Sequence, residues 1–440
     1  MKTKVPKIFI DSLGCSKNTV DSEAFAAQAR ANEFIIVDEI EQADTLVINT
    51  CGFIDAAKQE SIDHILSGVG LKESGKLEKL MVMGCLSDRY ADELRADIPE
   101  VDEYFGSSHT SIPQVIQYLG GDYRKDLLGE RLLSTPSHFA YLKISEGCDN
   151  PCSFCAIPLM RGGHKSVPME DLLREALLLR QKGVKELILI GQDTTYYGLD
   201  LYGKRTLDEL LLRISDLGFE WIRLLYAYPA KFPVHILPVI RDRENICNYL
   251  DMPLQHASTD VLKSMRRGVT RSRLEDLIGY IRSEVPGIRL RTTMIVGYPS
   301  ESRENFDELK DFIERMQFDR LGCFVYSQED ATTAFPLGDP VTAKEKQKRL
   351  RELMAVQEQI SYEKNQRLIG SDQRVVIDRI QDGTAWGRTS FDAPEVDNEV
   401  VITSASSDFS VTHLKVGNFY QISVDDAEAF DLFGTLIAPQ

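Results

Sequence analysis

The 440-residue chain has no apolar run long enough to span a bilayer, and it has no internal repeat or low-complexity tract. The first absence excludes a helical membrane protein, the second a solenoid or a linker-dominated chain. The stretch from Met1 to Lys7 leads straight into a strand-like run without an apolar h-region, so no secretory signal is expected. Positive charge is also short, at a formal net charge of -17. Lys and Arg supply most of the affinity for a phosphate backbone, so this balance suits a basic partner better than a nucleic acid, although acidity also serves solubility. Hydrophobic content of 43% and charged content of 27% are those of a globular protein, and the length suggests roughly two to four domains. Eight cysteines in a chain with no export signal argue for reduced thiols and metal ligation rather than disulfides, and for a cytoplasmic setting.

What the chain does have is a cysteine loop. Cys148, Cys152 and Cys155 are spaced C-x3-C-x2-C, with Phe154 just before the third. Three thiolates on a short loop can hold three irons of a four-iron, four-sulfur cluster and leave the fourth iron open to a chelating guest. An open position is how a metal site does chemistry rather than hold structure. A zinc knuckle would favour C-x2-C pairs with a fourth ligand close by; His164 makes a Cys3His zinc site conceivable. A structural disulfide would leave one cysteine over.

The first 120 or so residues alternate short apolar strands with helices: strands at 7–10, 45–49 and 79–83, helices at 21–31 and 56–66. That pattern implies a parallel sheet covered on both faces. Each strand is followed at once by a cysteine, namely Cys15, Cys51 and Cys85. Ligands of open α/β sheets sit beyond the carboxyl ends of the strands, so these cysteines should converge on one site. Gly14, Gly52 and Gly84 beside them permit close backbone approach. Three buried apolar cysteines would be the alternative.

A loop over 120–136 leads to a strand at 139–144 that feeds the Cys148 loop. Strands are expected at 186–190, 221–226, 247–250, 288–295 and 321–326, with helices at 169–182, 207–217, 271–284 and 303–316. Such β/α units suggest a partial barrel with its chemistry at the strand C-termini. Thr342 and Glu345 mark a capping box opening a long polar helix that ends near Gly370 and reads as a connector. Five short β runs follow, as in a small OB-like barrel. Residues 371–440 carry four Lys/Arg and twelve Asp/Glu, a net of -8.

The cysteine loop resembles that of the radical S-adenosylmethionine (SAM) superfamily, in which the open iron is chelated by the amino and carboxylate groups of the methionine moiety. The whole chain is similar to the methylthiotransferases of that superfamily. This implies an α/β fold with an N-terminal methylthiotransferase domain at 1–121, a radical SAM domain at 134–369 and a TRAM domain at 371–440. It also implies two [4Fe-4S] clusters, one on Cys148, Cys152 and Cys155 for reductive cleavage of SAM, the other on Cys15, Cys51 and Cys85 for the donated sulfur. A second SAM would supply the methyl group. The run from Cys148 to Ser166 is similar to the branch that methylthiolates the β-carbon of an aspartate in ribosomal protein S12 of the small subunit. The MiaB branch, acting on a tRNA adenosine, is the runner-up, and an iron–sulfur docking or redox module a third reading.

Phe154, Gln192, Asp193 and Gly297 are implied as SAM-binding positions, with Gly191-Gln192-Asp193 only a partial match to the superfamily's glycine-acid motif. His256 is expected either in the cavity or as a structural histidine. Cys247 and Cys323 read as core residues, and the basic run 263–267 as a solvated helix face. Acidic positions Asp392, Glu395, Asp397, Glu399, Asp425, Asp426 and Glu428 are the expected contacts for a basic ribosomal protein.

Overall fold

The computed structural model describes residues 5–107, 111–405 and 411–439. The N-terminal unit holds β1 (Lys7–Ser12), α1 (Ser16–Ala31), β2 (Ile35–Ile36), β3 (Thr45–Thr50), α2 (Asp55–Glu73), β4 (Lys79–Gly84), α3 (Cys85–Arg89), α4 (Ala91–Asp97), β5 (Glu103–Tyr104) and α5 (Ser111–Tyr118). Its sheet runs β2-β1-β3-β4-β5, parallel throughout. Side chains alternate across it: Leu46, Ile48, Leu80 and Val82 pack towards Ile65 of α2, while Val47, Met81 and Met83 pack towards Phe25 of α1 and Val115 of α5. Two covered faces explain why β3 reads as an unbroken apolar run. Two helices exceed their expected ranges. α1 starts at Ser16, directly after Cys15, and α2 continues past Leu66 because Gly68 lets it lie close on Leu46 and Leu80.

The middle unit holds β6 (Phe139–Lys143), β7 (Ser145–Glu146), α6 (Ile157–Arg161), β8 (Lys165–Ser166), α7 (Met169–Gln181), β9 (Glu186–Ile190), α8 (Leu199–Tyr202), α9 (Leu207–Ser215) and β10 (Trp221–Leu224). It continues through α10 (Leu237–Asp242), β11 (Ile246–Asp251), α11 (Thr259–Ser264), α12 (Arg271–Glu284), β12 (Arg289–Val296), α13 (Arg303–Met316), β13 (Arg320–Val325) and α14 (Ala343–Gln366). Six parallel strands lie in the order β13-β12-β11-β10-β9-β6, an open array of β/α units. The outer face (Leu187, Leu189, Ile222, Leu224, Leu250, Leu290) packs under the helices. α14 is more than a connector. It buries Leu353 and Ile360 in the same core, and its Arg349 pairs with Glu301 at 2.6 Å. Thr342 accepts the Glu345 N–H at 3.3 Å, and Gly370 takes φ +80° after the helix.

The inner face mixes apolar and charged side chains, and the C-terminal unit completes it. β14 (Asp372–Gln381), β15 (Thr384–Thr389), β16 (Glu399–Ala405), β17 (Phe419–Ala427) and β18 (Asp431–Pro439) close a barrel in the order β14-β15-β16-β18-β17. Val376, Ala393 and Phe419 of this barrel join Tyr141, Ile188, Trp221, Cys247 and Tyr249 in one buried cluster. Arg388 pairs with Glu186 at 2.8 Å, Arg320 with Asp392 at 2.6 Å and Arg291 with Asp397 at 3.2 Å.

These pairs correct the expected docking surface. The side chains of Asp392 and Asp397 are 1% and 0% exposed and belong to the joint between units. The 389–398 loop gives Arg320 its carboxylate and adds a second partner to Arg223 and Arg291, which already pair with Glu186 and Asp251 in the central sheet. Glu399 is half-exposed and paired with Arg379, whereas Glu395, Asp425, Asp426 and Glu428 are exposed. Cys247 is a core residue as expected, but Cys323 is only half-buried, because β13 is an edge strand.

The N-terminal unit bridges the opening of the central sheet. At the β6 edge Asp21 of α1 pairs with Lys143. At the β13 edge Arg89 and Lys58 pair with Glu329 at 2.7 and 2.9 Å, and Tyr90 donates to Asp330 at 2.6 Å. The strand C-termini of both sheets are thereby brought together.

Candidate active site

The Cys148 loop is shaped by the backbone around it. Gly147 has φ +74°, and a Cβ there would lie 2.2 Å from the Gly163 carbonyl oxygen, so only glycine fits. The Cys148 N–H donates to Gly162 O at 3.1 Å, which closes the loop on itself. Asn150 donates to the Cys148 Sγ at 3.4 Å and to Asp193 at 2.7 Å. Asp193 also caps the next turn by accepting from the Thr195 N–H and hydroxyl. Gln192 donates to Glu146 at 2.8 Å, just ahead of the loop. These two residues therefore hold the loop in place. Phe154 is half-buried against Val261, Met265, Tyr298, Tyr326 and Ala334.

Two residues outside the motif touch Cys152. Arg267 donates to its Sγ at 3.1 Å and to the Pro253 carbonyl at 2.5 Å, and lies over the Tyr228 ring at 4.3 Å. The Tyr228 hydroxyl is 3.6 Å from the same sulfur. Arg267 is buried, which corrects the reading of 263–267 as a solvated face: the chain turns inward after α11. Nothing in the local sequence distinguished Arg267 from Arg266 beside it.

Cys15, Cys51 and Cys85 do converge. A Cβ on Gly14, which has φ +85°, would meet the Cys51 Sγ at 3.0 Å, and one on Gly52 would meet the backbone carbonyl carbon of Cys85 at 3.1 Å. Gly84 has φ +105° and leaves 2.5 Å between an imagined Cβ and Thr50 O. Asn18 locks this corner by donating to Leu13 O and Thr50 O at 2.8 and 3.0 Å. Burial pushes the Cys85 thiol up to about 12 against the pull of Arg161, and raises Cys148 to about 11 and Cys155 to about 12. These thiols hold their protons near neutrality.

Arg161, six residues after Cys155, reaches the N-terminal triad. Its Nε–H donates to the Cys85 Sγ at 3.3 Å, while its Nη atoms reach Asn18, Asp21 and Glu146. Lys143 pairs with the same two carboxylates.

Three further positions fall outside this constellation. His256 is buried, accepts from the Ser258 N–H at 3.0 Å and stands 3.5 Å from Glu301, so it is structural. Gly297 has φ +75°, and the space for its side chain is taken by Lys346 of α14, 2.4 Å from an imagined Cβ. His164 meets Ser166 Oγ at 3.0 Å and packs on Tyr196 rather than completing a zinc site. Among the described residues, no three or more of His, Cys, Asp and Glu are grouped to hold a single metal ion.

The residues fit a cluster with a polar guest. Each triad is a glycine-lined set of thiols, and Ser145 Oγ, Gln192 Oε1, Gln255 Oε1 and Arg267 Nε are buried near the strand ends with no hydrogen-bond partner in the protein. Residues 7–106 match the family described as Uncharacterized protein family UPF0004, residues 142–313 the radical SAM superfamily and residues 369–437 the TRAM domain. The fold and site thus define a radical SAM enzyme, a class that uses SAM and a [4Fe-4S] cluster. The ribosomal protein uS12 methylthiotransferase RimO of Chloroherpeton thalassium is 60% identical over 437 residues, covering 99% of this chain and 100% of the relative. That of Chlorobaculum parvum is 52% identical, covering 98% and 97%. The chain belongs to the RimO family of methylthiotransferases. Among solved structures, the radical SAM methyltransferase TsrM of Kitasatospora setae shares the fold at TM-score 0.56 and 11% identity, covering 75% of this chain and 74% of that one. The cobalamin-dependent radical SAM enzyme OxsB does so at 0.51 and 14%, covering 79% and 56%.

Proposed function

We propose that this enzyme methylthiolates the β-carbon of an aspartate in ribosomal protein uS12, with SAM as both methyl donor and radical source. The observation that carries the proposal is that Arg161, which follows the Cys148 loop on the central sheet, donates to Cys85 and Asp21 of the N-terminal unit. Cys148, Cys152 and Cys155 would hold a [4Fe-4S] cluster, which with SAM supplies a carbon radical able to remove hydrogen from an unactivated carbon. Cys15, Cys51 and Cys85 would hold a second one for the sulfur to be donated. Around the first triad, Asn150 donates to the Cys148 sulfur and Arg267 to that of Cys152. Phe154 and its apolar neighbours exclude water from one side, and Gln192 and Asp193 fix the loop.

The division into 1–121, 134–369 and 371–440 and a cytoplasmic setting belong to the same reading. No described helix is long and apolar enough to cross a membrane. The exposed acids Glu395, Asp425, Asp426 and Glu428 suit a basic protein partner better than tRNA. Mass spectrometry of ribosomal proteins and tRNA from cells lacking the gene tests this. Loss of a methylthio group from a uS12 aspartate is expected. Its loss from a tRNA adenosine instead would favour the MiaB-like activity.

A further inference from the structure

Lys17, two residues after Cys15 on the first turn of α1, is 6% exposed although it carries a charge. The other cations between the triads are matched. Arg161 and Lys143 pair with Asp21 and Glu146, and Arg267 with the Pro253 carbonyl and the Cys152 sulfur. Lys17 has no carboxylate, carbonyl or thiol partner among the described residues. Its Nζ rests on the ring of Tyr226, 2.9 Å from the centroid. An aromatic face attracts a cation but accepts none of its three N–H bonds in the usual way. The stem is buried but the Nζ is not sealed off, so an ammonium with no hydrogen-bonded counter-charge stays reachable and is placed to receive an anion that arrives from outside.

The position of Tyr226 supports this. It follows β10 with φ +60°, a conformation that an aromatic residue rarely adopts. The Asp251 carboxylate, accepting its N–H at 3.0 Å, and the Thr194 N–H, donating to its carbonyl at 3.1 Å, hold it there. Backbone strain held by such supports is a mark of functional sites. Two residues on, Tyr228 reaches Cys152. An anion on Lys17 would therefore lie between Cys15 of one triad and the segment that touches the other.

We propose that Lys17 is a substrate-binding residue that receives the side-chain carboxylate of the aspartate to be modified. This rests on the aspartate reading of the function and deepens it. The carboxylate is bonded directly to the β-carbon, so anchoring it orients the C–H bonds to be broken. A neutral adenine base offers no such anion, and the same lysine therefore selects a protein substrate over tRNA.

The test compares wild-type, Lys17→Met and Lys17→Arg enzymes, reconstituted with iron and sulfide, on uS12 carrying Asp or Asn at the modified position. Iron content and substrate-free formation of 5′-deoxyadenosine should match wild type in both variants. Lys17→Met should lose on the order of a hundredfold in kcat/KM with the Asp substrate, the loss typical of truncating one partner of a desolvated charge pair. It should also lose the preference for Asp over Asn, and Lys17→Arg should recover part of both. Undiminished kcat/KM in Lys17→Met, or an unchanged Asp/Asn ratio, overturns the role of Lys17 while leaving the function intact. Wild-type enzyme that modifies a tRNA adenosine and not uS12 overturns the function and this role with it.

Discussion

Arg161 and Cys85 meet at 3.3 Å although one follows the cysteine loop of the central sheet and the other caps a strand of the N-terminal sheet. The same guanidinium spans Asp21 and Glu146, whose charges it and Lys143 balance. Replacing Arg161 by Gln leaves two buried carboxylates facing one lysine. Breaking a buried pair in this way costs about 3–5 kcal/mol. A lower melting temperature and faster alkylation of Cys85 in metal-free protein are expected, with Arg161→Lys between the two. Unchanged alkylation would show that the units are held together elsewhere.

Substituting the three cysteines of one triad by Ala separates their roles. Loss at Cys148, Cys152 and Cys155 should remove about half of the iron, from on the order of eight per chain, and all 5′-deoxyadenosine formation. Loss at Cys15, Cys51 and Cys85 should leave reductive SAM cleavage intact and abolish the methylthio product. Product at the wild-type level from the latter variant would make that triad structural.

Gly147→Ala places a methyl group where the Gly163 carbonyl oxygen already lies, in a left-handed backbone conformation. Iron bound by the central triad should be lost while the N-terminal share persists. Full iron retention, read by chemical assay and absorbance, would contradict the loop geometry.

Burial pushes the Glu186 carboxyl up, yet Arg388 and Arg223 outweigh it and hold the group below the ordinary carboxylate range. A depressed carboxylate contributes stability that is complete above its unfolded value near pH 4.3 and is lost as pH falls through the folded one. Acid should therefore loosen the C-terminal barrel from the central sheet. Thermal melts of wild type and Glu186→Gln across pH 3–7 check this, since the variant should show a lower and flatter acid limb.

The acids of the C-terminal unit divide into two sets. Asn at Asp425 and Asp426 with Gln at Glu428 should weaken uS12 binding, more so at low salt, and leave the melting temperature unchanged. Asn at Asp392 or Asp397 should lower the melting temperature instead, because Arg320 loses its carboxylate partner or Arg291 one of its two. Binding and stability curves on the same preparations distinguish them.

Strands and helices with clear periodicity were legible in the chain: β9, α12 and α13 span the residues that their patterns mark. The position of Cys15, Cys51 and Cys85 just after strand ends was legible too, because the apolar runs before them mark the strands. Relations between units were not legible. Asp392 and Asp425 look alike in sequence, yet one is buried against Arg320 and the other is exposed. Lys17 and Arg267 sit in short polar stretches whose local pattern is that of a surface, and only the folded path turns them inward. α5 went unrecognised in a short stretch containing Pro113.

The inner face of the central sheet carries Arg223, Arg291, Arg320 and Glu186; Arg223 and Glu186 pair with each other and Arg291 with Asp251 inside the sheet, but each of the four takes a further partner beyond residue 377. The ribosome releases these late residues last. Until they emerge, Arg320 lacks its Asp392 carboxylate and the inner face lies uncovered, so the catalytic unit should not mature fully before the C-terminal part is made. A stop codon after Gly370 would thus remove more than a docking module. It should leave a chain that chaperones retain, and the enzyme's cellular abundance should depend on its last seventy residues as much as on its cysteines.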